Sequence, residues 1–362
     1  MKLFITLVLF ITFVSTCQGK SIELYSAFGT EPNTLGDGVQ EFVDQLEDIS
    51  RLQVRVKTPA DLGIGQAELL QNVANGTIDM AIFVLNIQDR GSEELNVEID
   101  LYGESFPLGL QLEEYLSWHY DGGGLAILED ILKNDGDGVV ILPVIAAPGQ
   151  SAGMFKGEIT KARLEATSPP FKMRTFGFGQ LAMQEAFPNM EFRNAIPGLS
   201  GIADILDGFE TGDIEAAELV YPQVDFDAFM SSANPNIQQL GVTHYYITAW
   251  QSPVTVQYLA INKKFFNRLN EKRQNQIRLA ALASTQDSHS RLLLKQGESL
   301  KDFQDAGIFI RTLPEDILTE LLAATDIVLE NIASDNPRFK EVLNSVKSYV
   351  RTQNTWLMLV AA

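Results

Sequence analysis

Apolar positions along this chain switch repeatedly between the two-residue period of strands and the three-to-four-residue period of helices. Residues 21–27 alternate as a first strand, 35–46 carry helical spacing, and 52–58 alternate again. Residues 67–74 are helical and stop at Asn75-Gly76, a C-cap signal, before a strand over 78–85. Residues 139–146 form a continuous apolar run rich in β-branched residues, which predicts a buried parallel strand. Further strands are expected at 171–176 and 245–248. From Leu269 onward the pattern is helical, broken by one strand at 308–312, and Pro314-Glu315 opens the next helix with proline in its first turn.

Strands and helices in alternation predict the α/β class. Long helices gathered at the C-terminus, after two α/β regions, predict helices that brace two lobes. Composition shows no sharp boundary, repeat or flexible linker, so the lobes are expected to share more than one crossing strand. The length of 362 residues suits about two domains.

The first residues change the picture of where the chain works. Lys2, the short apolar run at 3–14 and the small residues at 15–19 have the form of an export signal, with cleavage expected after Gly19. The rival is a lipoprotein signal in which Cys17 is acylated, although Thr16 matches that pattern poorly. Cys17 is the only cysteine. A mature chain without it has no disulfide or thiolate metal site and must be held by its core. The content of 45% hydrophobic and 20% charged residues supports such a core. The net charge of -20 excludes nucleic acid and anionic membrane as natural partners. An anion would therefore need a local device to bind here: an arginine, a helix N-terminus or a metal ion.

Candidate chemistry is sparse. His119, His244 and His289 are far apart and lack zinc-enzyme spacing. There is no GxSxG elbow, and acid pairs are expected by chance in so acidic a chain. Residues 177–182 match GxGxxA after a strand, with Asp204 downstream. A lone mid-chain match is weak support for a dinucleotide site, but glycines there can bring a helix N-terminus close to an anion. Arg174, between Pro170 and those glycines, is either a surface arginine or a planar donor fork facing a carboxylate. Glu218 sits inside the apolar stretch 216–222, so it is either an exposed edge residue or has a cationic partner inside. Trp250 follows the Tyr245-Tyr246 strand and reads first as an aromatic core corner.

A colinear set of segments resembles the extracytoplasmic solute-binding proteins of TRAP transporters, and within them the subgroup that binds 2-oxo acids and related small carboxylates. The set is Asn75-Gly76-Thr77-Ile78-Asp79, Phe106-Pro107-Leu108-Gly109-Leu110, Trp118 with Gly122-Gly123-Gly124, Gln150-Ser151-Ala152-Gly153, Lys172-Met173-Arg174, Ala217-Glu218 with Pro222 and Asp225, Tyr245-Tyr246 through Trp250, and Asn262-Lys263-Lys264. The resemblance runs over 21–349. It implies a two-lobed periplasmic-binding-protein (flytrap) fold with C-terminal bracing helices, the lobes closing on ligand. The expected division is signal 1–19, first lobe 20–146 with 250–290, and second lobe 147–249 with 291–362.

The resemblance further implies that Arg174 holds the ligand carboxylate and that Phe106, Gln150, Glu218, Trp250 and Gln251 line the ligand site. A cation would be bridged by Gln150, Glu218, the carbonyl of Leu219 and Gln251. It implies no catalysis and no organic cofactor; the alternative is an exported α/β enzyme acting on a small carboxylate. The implied partners are the membrane components of a TRAP transporter and a second copy of the chain through the C-terminal helices. Three positions depart from the family: Leu219 and Met154 replace tryptophans, and Gln251 replaces a glutamate. The first two alter the pocket. The third removes a charge. Glu218 and a ligand carboxylate against Arg174 leave one negative charge, so sodium is expected ahead of calcium.

Overall fold

The computed structural model describes residues 21–31, 34–88, 97–104, 109–133, 138–193, 202–230 and 237–360. The expected export signal at 1–19, Cys17 and Phe106 lie outside the described residues.

Two sheets organise the chain. The first contains β1 (Ile22–Ser26), β2 (Val54–Lys57), β3 (Met80–Val84), β4 (Val139–Pro148) and β10 (Val254–Asn262), in the order β2-β1-β3-β10-β4. β1 is parallel to β2 and β3, and β10 is antiparallel to both β3 and β4. The second contains β5 (Gly153–Phe155), β6 (Lys172–Arg174), β7 (Glu191–Arg193), β8 (Ala216–Ala217), β9 (His244–Tyr246) and β11 (Phe309–Arg311), in the order β11-β9-β5-β8-β6-β7. The chain passes from the first sheet to the second after β4 and returns before β10. It crosses a third time along α11 (Glu271–Asp305).

The run at 139–146 does form a buried strand, but an antiparallel one. Its side chains feed two cores: Leu142 and Val144 join one, Ile141 and Ala146 the other. Burial on both faces makes a strand apolar throughout, whatever the direction of its neighbour. Helical spacing from residue 35 also yields later than expected, because α1 spans Val39–Ser50. A Cβ on Gly36 would lie 2.5 Å from the Phe28 carbonyl oxygen, and Gly38 has φ 103°. The segment before α1 is thus a turn pressed onto the β1 loop. From there Val39, Phe42, Val43 and Leu46 recur at helical spacing and are buried.

α11 runs 35 residues, about 50 Å at 1.5 Å per residue. Its inward face is small and polar through Ala280–Ser288, with Ile277, Leu292 and Phe303 beyond, and it packs on β4 and α1. Ser288 Oγ accepts the Ala146 N–H at 3.1 Å, and Thr285 Oγ1 donates to the Pro143 carbonyl at 3.1 Å. These hydroxyls satisfy backbone groups on a strand at the sheet edge. α12 (Glu315–Asp335), with Pro314 at its N-cap, starts in the second-lobe core through Ile317 and Leu321. It ends in a first-lobe core through Leu329 and Ala333, where α13 (Pro337–Val360) adds Phe339 and Val342. The C-terminal helices therefore brace both lobes. No helix among the described residues is long and apolar enough to cross a membrane.

Candidate functional site

The ends of the parallel strands meet where the sheets face one another, the usual place for a ligand in open α/β sheets. A cavity lies there. Phe28 and Leu35 beyond β1, and Val84 and Ile87 at the end of β3, line it from the first lobe. Phe176 beyond β6 and Leu219 beyond β8 line it from the second, with Gln150 and Thr255 at the crossing.

Arg174 ends β6 and is 1% exposed. Strand register sets it opposite Ala217, and the Glu218 N–H donates to its carbonyl at 3.0 Å. Glu218 is therefore delivered alongside it. Arg174 Nη1 donates to the Glu218 carbonyl and lies 3.5 Å from Glu218 Oε2, where Thr175 Oγ1 also donates at 3.5 Å. The guanidinium sits 5.6 Å from the centre of the Phe176 ring. Of the two readings open for each residue, the buried one holds for both. The acid in the apolar stretch has its cation, and a buried charge is tolerated when paired in this way.

Gln150 donates from Nε2 to Thr255 Oγ1 at 3.1 Å, and its backbone N–H donates to the Ser252 carbonyl at 2.9 Å. Gln251 donates from Nε2 to the Ser151 carbonyl at 2.6 Å. Its Oε1 is buried and has no hydrogen-bond partner among the described residues. A Cβ on Gly179 would stand 3.2 Å from Gln251 Cβ. The glycine motif that opens α7 (Gly177–Ala186) thus leaves room for Gln251 against the helix start. Leu219 is buried at the cavity wall. Trp250 packs into the second-lobe core with Tyr246, Leu313 and Ile317, as its core-corner reading predicts; like Arg174, Glu218 and Gln251, it lies outside the cavity lining itself.

One residue at this junction was legible only as part of a motif. Asp225, in the first turn of α9 (Pro222–Met230), is fully buried. Its Oδ1 accepts the Val220 N–H at 3.0 Å, and its Oδ2 accepts Ser151 Oγ–H at 3.0 Å and the Tyr245 hydroxyl at 2.7 Å. Burial pushes its carboxyl up to about 6, against the pull of Tyr245, Ser151, the Val220 N–H and the Arg174 charge. The histidines stand apart from the cavity lining; His119 is buried in a first-lobe aromatic cluster with Tyr115, Trp118 and Tyr258. Among the described residues no three His, Cys, Asp or Glu side chains are grouped to hold a metal ion. A cation at the junction would rest on amide and carbonyl oxygens and the carboxylate of Glu218, a donor set for a hard ion. The orphaned Gln251 Oε1 fits that use.

No protein-family model matches the chain. A monocarboxylate 2-oxoacid-binding periplasmic protein of Nostoc sp. is 25% identical over 255 residues, covering 70% of this chain and 65% of the relative. The match thus spans just under two-thirds of that relative's length. A TRAP periplasmic solute-binding protein from Colwellia psychrerythraea, solved with bound calcium and pyruvate, superposes with TM-score 0.77 at 21% identity, over 94% of this chain and 97% of its own. One from Pseudoalteromonas atlantica, with bound sodium and pyruvate, gives TM-score 0.75 at 22% identity, over 93% and 96%. The chain has the two-lobed α/β fold of the TRAP periplasmic solute-binding proteins, the family its sequence resembles.

Proposed function

We propose that this protein is an exported, periplasmic receptor that captures a small monocarboxylate, such as a 2-oxo or hydroxy acid, for a TRAP transporter. The observation that carries the reading is the buried Arg174–Glu218 pair beside an apolar cavity between the lobes. Arg174 meets the ligand carboxylate with a planar fork of five N–H donors, of which those on Nη1 also serve Glu218. Phe28, Leu35, Val84, Ile87, Phe176 and Leu219 surround the rest of the ligand with apolar surface. That surrounding favours a monocarboxylate over a dicarboxylate or a sugar acid, whose polar groups would lose water without replacement. The polar side chains of the lining are amides and a hydroxyl, which suits holding a ligand better than acid–base chemistry.

A cation held by Gln150, Glu218, the Leu219 carbonyl and Gln251 would supply positive charge beside the bound carboxylate. Counting Glu218, ligand and Arg174 leaves one negative charge, which sodium balances. Asp225, buried and in the field of Arg174, favours a second reading: counting its ionised form leaves two, which calcium balances. The membrane components of the transporter are the expected recipients of the closed form, with the first lobe built from 20–146 and 250–290 and the second from 147–249 and 291–362.

A second copy of the chain is the other proposed partner. Leu279, Leu282, Leu293 and Leu294 are exposed along α11, at 47–67%. Pairing of two copies along α11 would cover these leucines. Leu282→Glu with Leu294→Glu should then move the protein to monomer mass in analytical ultracentrifugation.

Thermal melting against pyruvate, lactate, longer 2-oxo acids, sugars and peptides tests the function. A stabilising ligand adds about 2.7 kcal/mol at a hundredfold excess over its dissociation constant. Stabilisation by a sugar or peptide and by no carboxylate rejects the reading. Calorimetry in sodium, in choline and with calcium before and after chelation assigns the ion. Equal affinity in all of them leaves the site metal-free.

A further inference from the structure

Three stretches that carry the proposed ligand and cation groups arrive from distant parts of the chain: 150–151 after β4, 218–220 after β8, and 250–251 before β10. None is a long element that could hold its own position, since β8 has only two residues. We propose that Asp225 is the positioning residue of the site, its carboxylate fixing these three stretches against one another. The inference rests on the function proposed above.

The geometry is a single junction. One oxygen holds the backbone of the 218–220 stretch through the Val220 N–H, and the other holds the 150–151 stretch through Ser151 Oγ. Ser151 and Val220 are also joined directly, the Ser151 N–H donating to the Val220 carbonyl at 2.9 Å. The Ser151 carbonyl in turn receives Gln251 Nε2. Asp225 therefore reaches all three stretches within two hydrogen bonds. Asp225 accepts the backbone N–H of Val220, which lines the cavity beside Leu219, and holds Ser151, the neighbour of the lining's Gln150. The rigid first turn of α9 supplies the anchor, and the Tyr245 hydroxyl holds the carboxylate from β9. A fully buried carboxylate is costly unless its lone pairs are filled, and here the donors that fill them include the two segments that need placing.

Tyr245 provides the control. Tyr245→Phe and Ser151→Ala each remove one hydroxyl donor from the same oxygen, Oδ2, but only Ser151 belongs to a ligand-bearing stretch. Pyruvate affinity by calorimetry should fall about tenfold to a hundredfold in Ser151→Ala, the scale of a hydrogen bond to a charged group, and at least as far in Asp225→Ala. Tyr245→Phe should stay within about threefold of wild type. Asp225→Asn should recover most of what Asp225→Ala loses. Its amide oxygen still accepts the Val220 N–H, and its NH2 donates to the two hydroxyls, which can reverse.

Equal losses in Tyr245→Phe and Ser151→Ala, or no recovery in Asp225→Asn, overturn the proposal. If Asp225→Ala does not fold, the comparison of Ser151→Ala with Tyr245→Phe decides alone. Wild-type protein that binds no pyruvate or other carboxylate rejects the function itself. Amide exchange in the ligand-free chain then decides the positioning role. Faster Val220 exchange in Ser151→Ala, with Tyr245→Phe unchanged, supports it; the same rate in both overturns it.

Discussion

Removing the Arg174 guanidinium should damage binding and stability by separable amounts. Its side chain is 1% exposed and that of Glu218 is 4% exposed. Solvent can therefore do little to compensate a charge left behind. Deleting one member of a buried pair costs roughly 3–5 kcal/mol, because the survivor stays buried and unpaired. In Arg174→Ala the incoming carboxylate meets Glu218 alone, a like charge in place of a neutralised pair. At about 1.4 kcal/mol per factor of ten, affinity should fall by about two to nearly four orders of magnitude. Arg174→Lys should recover only part of this, since an ammonium cannot present a planar fork. The double variant Arg174→Met, Glu218→Gln separates the effects. It removes both charges, so stability should return toward wild type while carboxylate binding stays lost. Calorimetry with pyruvate at fixed sodium, paired with urea unfolding of the same samples, measures both quantities. A folded Arg174→Ala protein that binds within tenfold of wild type, or a double variant that regains binding along with stability, refutes the assignment.

Other outcomes follow from the same geometry. Gly153 has φ 115°, and a Cβ there would lie 2.2 Å from the Ala217 carbonyl oxygen. Gly153→Ala should push β5 from β8 and cost roughly 3 kcal/mol or more, read as a lower urea midpoint; an unchanged midpoint counts against the packing described. Glu218→Gln should remove the dependence of affinity on the cation, and a dependence that persists in calorimetry rejects Glu218 as its ligand. Burial holds the His119 imidazole down at about 3, well below its ordinary 6.5. The unfolded chain therefore takes a proton between 6.5 and 3 that the folded chain refuses. His119 then costs stability as pH falls through that window, at up to about 1.4 kcal/mol per pH unit. At pH 4.5 this is about 2–3 kcal/mol relative to His119→Phe, so parallel stability-against-pH curves for the two proteins would show the histidine is not held neutral.

What could be read ahead of the structure depended on whether a residue's meaning was local. Strands β1, β2 and β3, the helix stop at Asn75-Gly76 and the late helices carry their own local signals, and they stand where the pattern places them within a few residues. Glu218 could be narrowed to two states, exposed at an edge or buried with a cationic partner; that the cation is Arg174 follows from a register that no local pattern contains. β5 and β8, at three and two residues, are too short to show a period. β10 goes unnamed in the pattern because Gln257 and Asn262 interrupt its apolar run. Both are buried: Gln257 Nε2 donates to the Leu35 carbonyl at 2.5 Å and Asn262 Nδ2 to the Val73 carbonyl at 2.9 Å. Asp225 was hidden for the same reason. An acid in the first turn of a helix is ordinary, and only the fold brings Ser151 and Tyr245 to it.

The place of β10 also bears on how the chain is made. It lies between β3 and β4, hydrogen-bonded to both, yet begins at residue 254, long after β4 ends at residue 148. A nascent chain that stops short of residue 254 cannot close the first sheet. β3 and β4 have no bond to one another and must wait for their shared neighbour. The second sheet is also left incomplete until β11 at Phe309–Arg311 has been synthesised. Contacts of such long sequence separation form slowly, because loop closure must precede any gain from pairing. On the export proposed above, β10 and β11 act as two timers written into the topology: the first sheet stays incomplete until residue 262 has been made and the second until residue 311.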